Sequence, residues 1–316
     1  MVEVFGKKAT RYGFGEALVE LGKKNPKIFV LGADTAASVM LNLFQEKFPE
    51  RYVNIGVAEQ NLLGIAAGLA VAGWIPFAST YGVFASGRPW EQIRTTICYS
   101  NLNVKIGGSH AGVMVGPDGA THQALEEIAI MRCLPRMTVI VPCDAIETRK
   151  ATMASAALFG PVYIRFGREP IPVLTRDDTP FEIGKARVMR EGKDVAIVAC
   201  GTMVYESLMA AELLEKKGIS TRVINLHTIK PIDEQAIIDA ARDCGALVTA
   251  EEHQIFGGLG SAVAEVLVKH FPAPVEMVAV RDTFGESGNP MDLMKSYHLK
   301  DVDIVEAAER VLRRKK

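Results

Sequence analysis

The sequence of 316 residues has no excess of either charge: 36 Lys and Arg against 37 Asp and Glu leave a net charge of −1. That argues against nucleic acid or an anionic membrane as a partner held by bulk charge, and leaves a local phosphate site open. Cysteine is scarce and scattered. Cys98, Cys133, Cys143, Cys200 and Cys244 are odd in number and form no Cys-x-x-Cys pair, which suits neither a zinc site nor a disulfide framework. Reduced thiols in a cytoplasm are the expectation. Residues 1–11 carry lysines but no apolar run of the kind a secretory signal needs. No Gly-x-Gly-x-x-Gly follows the first apolar run and no Walker A motif occurs, so a dinucleotide or P-loop site is disfavoured.

What is present is an ordinary globular balance, 48% hydrophobic and 23% charged, at a length that suits two domains. From Gln60 to Gly87 no residue is charged. That run is long enough to span a bilayer, but Pro76, its glycines and Ser79-Thr80-Tyr81 make it a buried helix, a turn and a buried strand. Strands are expected at 27–31, 52–55, 74–78, 104–106, 138–141 and 162–166, and helices at 61–71, 91–99, 124–132 and 144–157. This alternation predicts a mostly parallel α/β sheet. Residues 168–193 break the pattern with Pro170, Pro172, Pro180 and a cluster of charges, as a linker would. A second series follows, with strands at 195–199, 221–226, 247–250 and 275–280 and helices at 205–217, 233–243 and 302–313. Asp233 is placed to cap its helix, and the basic tail from Arg313 suits a helix C-terminus. The expected fold is α/β in two domains, 1–175 and a smaller 190–316, with 176–189 as linker.

Open parallel sheets bind ligands beyond the carboxyl ends of their strands. Asp34, Ser38, the run from Gly56 to Asn61, Tyr81, Phe84, the loop from Ser109 to His122, Arg165 and Arg168 all follow expected strands. Glu59 opens the uncharged stretch. Alone it reads as an acid favoured by a helix dipole, but a carboxylate in an apolar crevice tends towards a raised pKa and can share a proton. The loop 107–122 (GGSHAGVMVGPDGATH) combines His110, Asp118 and His122 with glycines too numerous for a packed core, which favours function. As metal ligands those three are loosely spaced, and that reading is discounted.

GVAEQN, FASTYGVF, GSHAGVMVGPDGATHQALEEIAIMR and YIRFGREP resemble the pyrimidine-binding domain of transketolases, and VAIVACGT, VINLHTIKPID, AEEH and FGGLGSAVAE resemble the C-terminal domain of that family. The resemblance covers nearly the whole chain. It implies that Glu59 hydrogen-bonds the aminopyrimidine ring of thiamine diphosphate, with Tyr81 and Phe84 packed on that ring and Asp34 near the cofactor. A third aromatic would fall near Gly87, where this sequence departs. His110, Asp118 and His122 correspond to residues that contact sugar hydroxyls and phosphate, and Arg11, Ser38 and Arg168 to the phosphate ligands. Glu59, His110 and His122 would be catalytic, the carboxyl favouring the cofactor's imino tautomer and the histidines moving protons.

The family's Gly-Asp-Gly, which holds metal and diphosphate, does not occur. The resemblance therefore implies the C-terminal subunit of a two-chain transketolase, moving a two-carbon ketol unit from a ketose phosphate to an aldose phosphate. Its partner would be an N-terminal subunit with Gly-Asp-Gly, holding most of a Mg or Ca ion, in an assembly of two copies of each. Neither nucleic acid nor membrane is an expected partner. A deoxyxylulose-phosphate synthase-like enzyme, a 2-oxo acid dehydrogenase beta subunit and a non-catalytic partner-binding paralogue are the alternatives.

Overall fold

A computed structural model describes residues 2–315. Its strands are β1 (Lys7–Ala9), β2 (Ile28–Gly32), β3 (Tyr52–Asn54), β4 (Ile75–Tyr81), β5 (Lys105–Ser109), β6 (Thr138–Ile140), β7 (Val162–Arg165), β8 (Pro170–Pro172), β9 (Arg187–Arg190), β10 (Val195–Ala199), β11 (Thr221–Asn225), β12 (Thr228–Lys230), β13 (Leu247–Gln254) and β14 (Val275–Val280). The larger sheet runs β12-β6-β7-β5-β4-β2-β3 and is parallel except where β12 meets β6. The second runs β14-β13-β10-β11-β9, parallel except at β9. β5, β7 and β10 are buried along their whole length, as parallel strands covered on both faces must be.

The helices supply that cover. Thr10–Lys24 packs on Ala145–Ala157 so closely that a Cβ on Gly13 would lie 2.0 Å from the Ala145 carbonyl oxygen. Phe14 stacks on Phe166 beneath this contact, with ring centroids 4.6 Å apart. Asp144 caps the second helix by accepting from Glu147 N–H at 2.8 Å. Its other oxygen accepts from Leu174 N–H at 2.8 Å and Thr175 N–H at 2.6 Å.

The segment expected as a linker is thus tied down. β8 pairs with β1, where an edge pair tolerates the prolines. β9 begins the second sheet within that segment. β12, from the second half of the chain, closes one edge of the first sheet beside β6, and Val141 N–H donates to His227 O at 2.7 Å. Further differences are local. The helix expected at 91–99 widens into a π-helix over Ile93–Tyr99. Leu259–His270 is a helix that the sequence reading leaves out, because glycines flank its start; its first N–H groups are capped from a distance by Glu251, which accepts from Leu259 at 2.7 Å and Gly260 at 2.8 Å. Asp233 caps its helix as expected. The basic tail reaches sideways, with Arg314 donating to Glu276 at 2.5 Å and Lys315 to the Asp194 carbonyl at 3.0 Å. Among the described residues no helix is long and apolar enough to cross a membrane.

Candidate active site

The strand register aligns the site. Gly32 is level with Asn54 and Ser79, Tyr81 with Ser109, and Gly108 with Arg165. The chain therefore leaves β2, β3, β4, β5 and β7 along one carboxyl edge, and the segments beyond them carry the candidate residues.

Glu59 is the first residue of the helix Glu59–Val71, where the dipole favours an acid. It is 5% exposed, and its Oε1 accepts from Arg88 Nη1 at 2.7 Å. The Arg88 guanidinium lies 4.0 Å over the Phe84 ring. Tyr81 is stacked between neighbours, its centroid 6.1 Å from Phe84 and 4.0 Å from His110, both at 11°. His122 stands edge-on to the pair, 6.0 Å from Tyr81 and 5.2 Å from Phe84. Glu59, Arg88, Phe84, Tyr81, His122 and His110 thus form an unbroken chain of contacts.

His110 has φ 53° and is buried, with Nδ1 2.8 Å from Ser109 Oγ. Burial, and then the nearby Arg11, Arg168 and His122, push its imidazole down to about 3. It is neutral at pH 7, a hydrogen-bonding group rather than a cation. The His122 Nδ1 lies 2.8 Å from Thr121 Oγ1.

Arg11 and Arg168 define a cationic pole near His110. Arg168 Nη1 donates to Val115 O at 3.1 Å and Asp118 Oδ1 at 3.3 Å. Arg11 Nη1 donates to the Ser38 carbonyl at 2.8 Å, so Ser38 meets it through the backbone. Asp34 stands apart at the β2–β3 end, with φ 57°; its Oδ1 accepts from Asn54 Nδ2 at 2.5 Å, and its N–H donates to Asn54 Oδ1 at 2.9 Å. The geometry gathers Glu59, Tyr81, Phe84, His110 and His122, sets Arg11, Arg168 and Asp118 beside them, and leaves Asp34 outside the aromatic cluster.

Sequence reasoning misses Arg88, although it is the charge that ends the uncharged run. It also misses a buried junction behind the loop. Arg165 donates through Nε to Glu127 Oε1 and through Nη2 to the Glu252 carbonyl at 2.6 Å. Burial raises the pKa of both Glu251 and Glu252. Two adjacent acids directly after the apolar start of a buried strand are the signal that would have flagged this junction.

A buried carboxylate beside two aromatic rings fits the pyrimidine half of thiamine diphosphate, which needs a hydrogen-bonding partner on a ring nitrogen and apolar faces around it. Among the described residues no three His, Cys, Asp or Glu side chains gather as a metal site.

A parallel α/β sheet with acidic, aromatic and basic side chains gathered along its carboxyl edge defines a ligand-binding type of site. The description "Transketolase, pyrimidine binding domain" matches residues 6–172, and "Transketolase, C-terminal domain" matches residues 184–304. The chain belongs to the transketolase family, whose members are generally dependent on thiamine diphosphate. It is 45% identical over 308 residues to a Methanocaldococcus jannaschii protein named, provisionally, a transketolase C-terminal section, covering 96% of each chain. It is 43% identical to a 6-deoxy-6-sulfo-D-fructose transketolase subunit of Clostridium sp. strain MSTE9, covering 95% of this chain and 93% of that one. A solved structure described as "Split gene transketolase, inactive beta4 tetramer" superposes with a TM-score of 0.92 at 52% identity, covering 98% of this chain and 99% of that one.

Proposed function

We propose that this chain is the pyrimidine- and sugar-binding half of a two-chain, thiamine diphosphate-dependent transketolase that moves a two-carbon ketol unit between sugar phosphates. The observation that carries the reading is the continuity from Glu59 through Phe84, Tyr81 and the two histidines to the Arg11–Arg168 pole. Thiamine diphosphate, when bound, supplies the carbon centre that takes up the ketol unit. Glu59 holds the pyrimidine ring nitrogen and governs its proton, and Tyr81 and Phe84 pack against the ring. Neutral His110, together with His122, hydrogen-bonds the sugar's hydroxyls and moves protons there. Asp118 reads a hydroxyl, and the two arginines hold the terminal anion by charge-assisted bonds.

A partner subunit carrying Gly-Asp-Gly would hold the diphosphate and most of a Mg or Ca ion. Three findings support this. Relatives of the same length are named as a section or a subunit of transketolases. The similar tetramer made of one kind of chain is described as inactive. The helix that starts at Glu59 turns an uncharged face outward, where a side chain at Gly64 or Gly68 would begin in open space. The relative named for a sulfonated fructose widens the candidate donors, since sulfonate and phosphate are both tetrahedral anions suited to two arginines.

The test is co-purification with a Gly-Asp-Gly chain, followed by turnover with and without thiamine diphosphate. Donors are ketose phosphates and 6-deoxy-6-sulfo-D-fructose; acceptors are aldose phosphates. Cofactor-dependent transfer is expected. An assembled, cofactor-loaded complex that transfers from none of these donors overturns the reading.

A further inference from the structure

The loop that carries Asp118 and His122 has little secondary structure to hold it, a 3-10 turn at Val113–Asp118 broken by non-helical Gly116. Besides its own turn bonds, such as Gly112 N–H to Ala124 O at 2.8 Å and His122 N–H to Gly119 O at 3.0 Å, the C-terminal domain holds it. Glu252, at 4% exposure on β13, spends both carboxylate oxygens on the junction: Oε1 accepts from Met114 N–H at 2.8 Å and Oε2 from Thr202 Oγ1 at 2.8 Å. Gly112 has φ 86°, and a Cβ there would lie 2.1 Å from Glu252 Oε1, so the loop backbone rests directly on the carboxylate. Gln254 N–H donates to Leu125 O at 2.8 Å at the loop's far end. Gln123 Nε2 bridges Val113 O at 3.2 Å and Glu286 O at 3.0 Å. Arg165 clasps the Glu252 carbonyl from β7, the strand that leads on to Arg168.

The consequence lies one residue beyond Met114. The Val115 carbonyl accepts from Arg168, which also bonds Asp118. Resting on the functional reading above, we propose that Glu252 is a positioning residue of the sugar site. It fixes the Met114–Val115 backbone, and through the Val115 carbonyl and Asp118 it aims the Arg168 guanidinium at the anionic end of the substrate. The C-terminal domain thereby shapes the substrate loop without touching substrate. A hydrogen bond from a buried N–H to a carboxylate is directional and costly to leave unmade, which suits it to this task.

The test uses the enzyme assembled with its partner chain and compares Glu252→Ala, Glu252→Gln and Thr202→Val. Glu252→Gln keeps an acceptor for Met114 N–H, and the Thr202 hydroxyl can turn to accept from the new amide. Thr202→Val keeps the carboxylate and removes its second anchor. Glu252→Ala is expected to raise KM for a ketose phosphate roughly tenfold, because small misplacements of a substrate-holding group are expensive. KM for an unphosphorylated ketose and the Kd for thiamine diphosphate should stay within about twofold. Thr202→Val should move the same KM in the same direction by less, and Glu252→Gln should restore it. Hydrogen exchange at the amides of 113–118 should quicken in Glu252→Ala and stay near wild type in Glu252→Gln. Equal KM changes for both kinds of donor, a Gln variant as impaired as the Ala variant, or unaltered exchange at 113–118 would overturn the proposal. If Glu252→Ala does not assemble, Thr202→Val decides through the same KM comparison and exchange. If wild type transfers from no sugar at all, it is the functional reading that has failed, and the exchange pattern alone decides whether Glu252 places the loop.

Discussion

At the scale of single residues, buried charge dictates most of the chemistry. Glu59 has an apolar helix behind it and one guanidinium in front. Glu59→Gln keeps the shape and the burial but removes the acid. Steady-state kinetics of the assembled enzyme should show kcat lower by about a hundredfold or more, with an unchanged thermal transition. A variant retaining most of its kcat would remove Glu59 from the chemistry. Lys105 is the opposite case, a buried charge away from the site. It is fully buried at the start of β5, donating to Leu158 O at 2.6 Å and Gly160 O at 2.7 Å, and burial pushes its pKa down to about 7. Between pH 7 and the unfolded value near 10.5 the unfolded chain binds a proton that the folded chain has shed. Stability should therefore rise with pH through that window, by at most about 1.4 kcal/mol per unit. In Lys105→Met this component is absent, so wild type should gain on the variant as pH rises from 7 to 10 in urea titrations; parallel curves would place the Lys105 pKa above the window. Glu59 is legible in the sequence because its charge is isolated. Ser38 and Arg168 stand out by their places after expected strands, but their role as phosphate ligands, like the whole of Arg11's, comes by resemblance, since phosphate ligands spread over distant loops leave no local pattern. Arg88 is illegible because its role depends on a ring and a carboxylate that the fold, not the spacing, brings to it.

At the scale of elements, the loop 110–122 is shaped in part from outside, and it rests on the Glu252 carboxylate at Gly112. Its positive φ and its contact with Glu252 leave no room for a side chain. Gly112→Ala should cost about 2–4 kcal/mol from backbone strain and overpacking together. Denaturant unfolding should show the loss, with faster exchange at Met114. A variant of wild-type stability would mean that the loop yields easily and that its shape is not set by Glu252. The same contrast between local and distant control explains which elements the sequence reveals. Helices with their own caps, at Asp144 and Asp233, are expected nearly where they lie. The helix Leu259–His270 starts among glycines and takes its cap from Glu251 on another element, so nothing in its own residues announces it. β1, β8 and β12 are three residues each and exist because an edge was there to pair with. β3 and β6 are as short but are expected from the sequence; none of β1, β8 and β12 sits in an apolar run such as MTVIV around β6.

At the scale of the whole molecule, the two halves are interlocked. β12 crosses into the first sheet, Arg165 and Glu252 meet across the boundary, and the loop 110–122 lies between. Such a junction resists separate motion of the halves, while the helix that starts at Glu59 leaves uncharged residues exposed beside the cluster. That geometry bears on how a lone chain should treat thiamine diphosphate. The pyrimidine pole can offer one carboxylate and two aromatic faces. The diphosphate and its metal carry most of the cofactor's charge, and the proposed reading places their ligand set on a partner chain. Each charge-assisted bond is worth about 1.5–3 kcal/mol, so losing even a few weakens binding at least about a thousandfold. Calorimetry of the purified chain with magnesium and thiamine diphosphate should give little or no heat, and the same titration with the partner present should show tight binding. Glu59→Ala, which removes the pyrimidine contact, should weaken the second titration and leave the first unchanged. Tight binding by the lone chain would mean that this chain holds the diphosphate itself, and the two-chain reading of the site would be wrong.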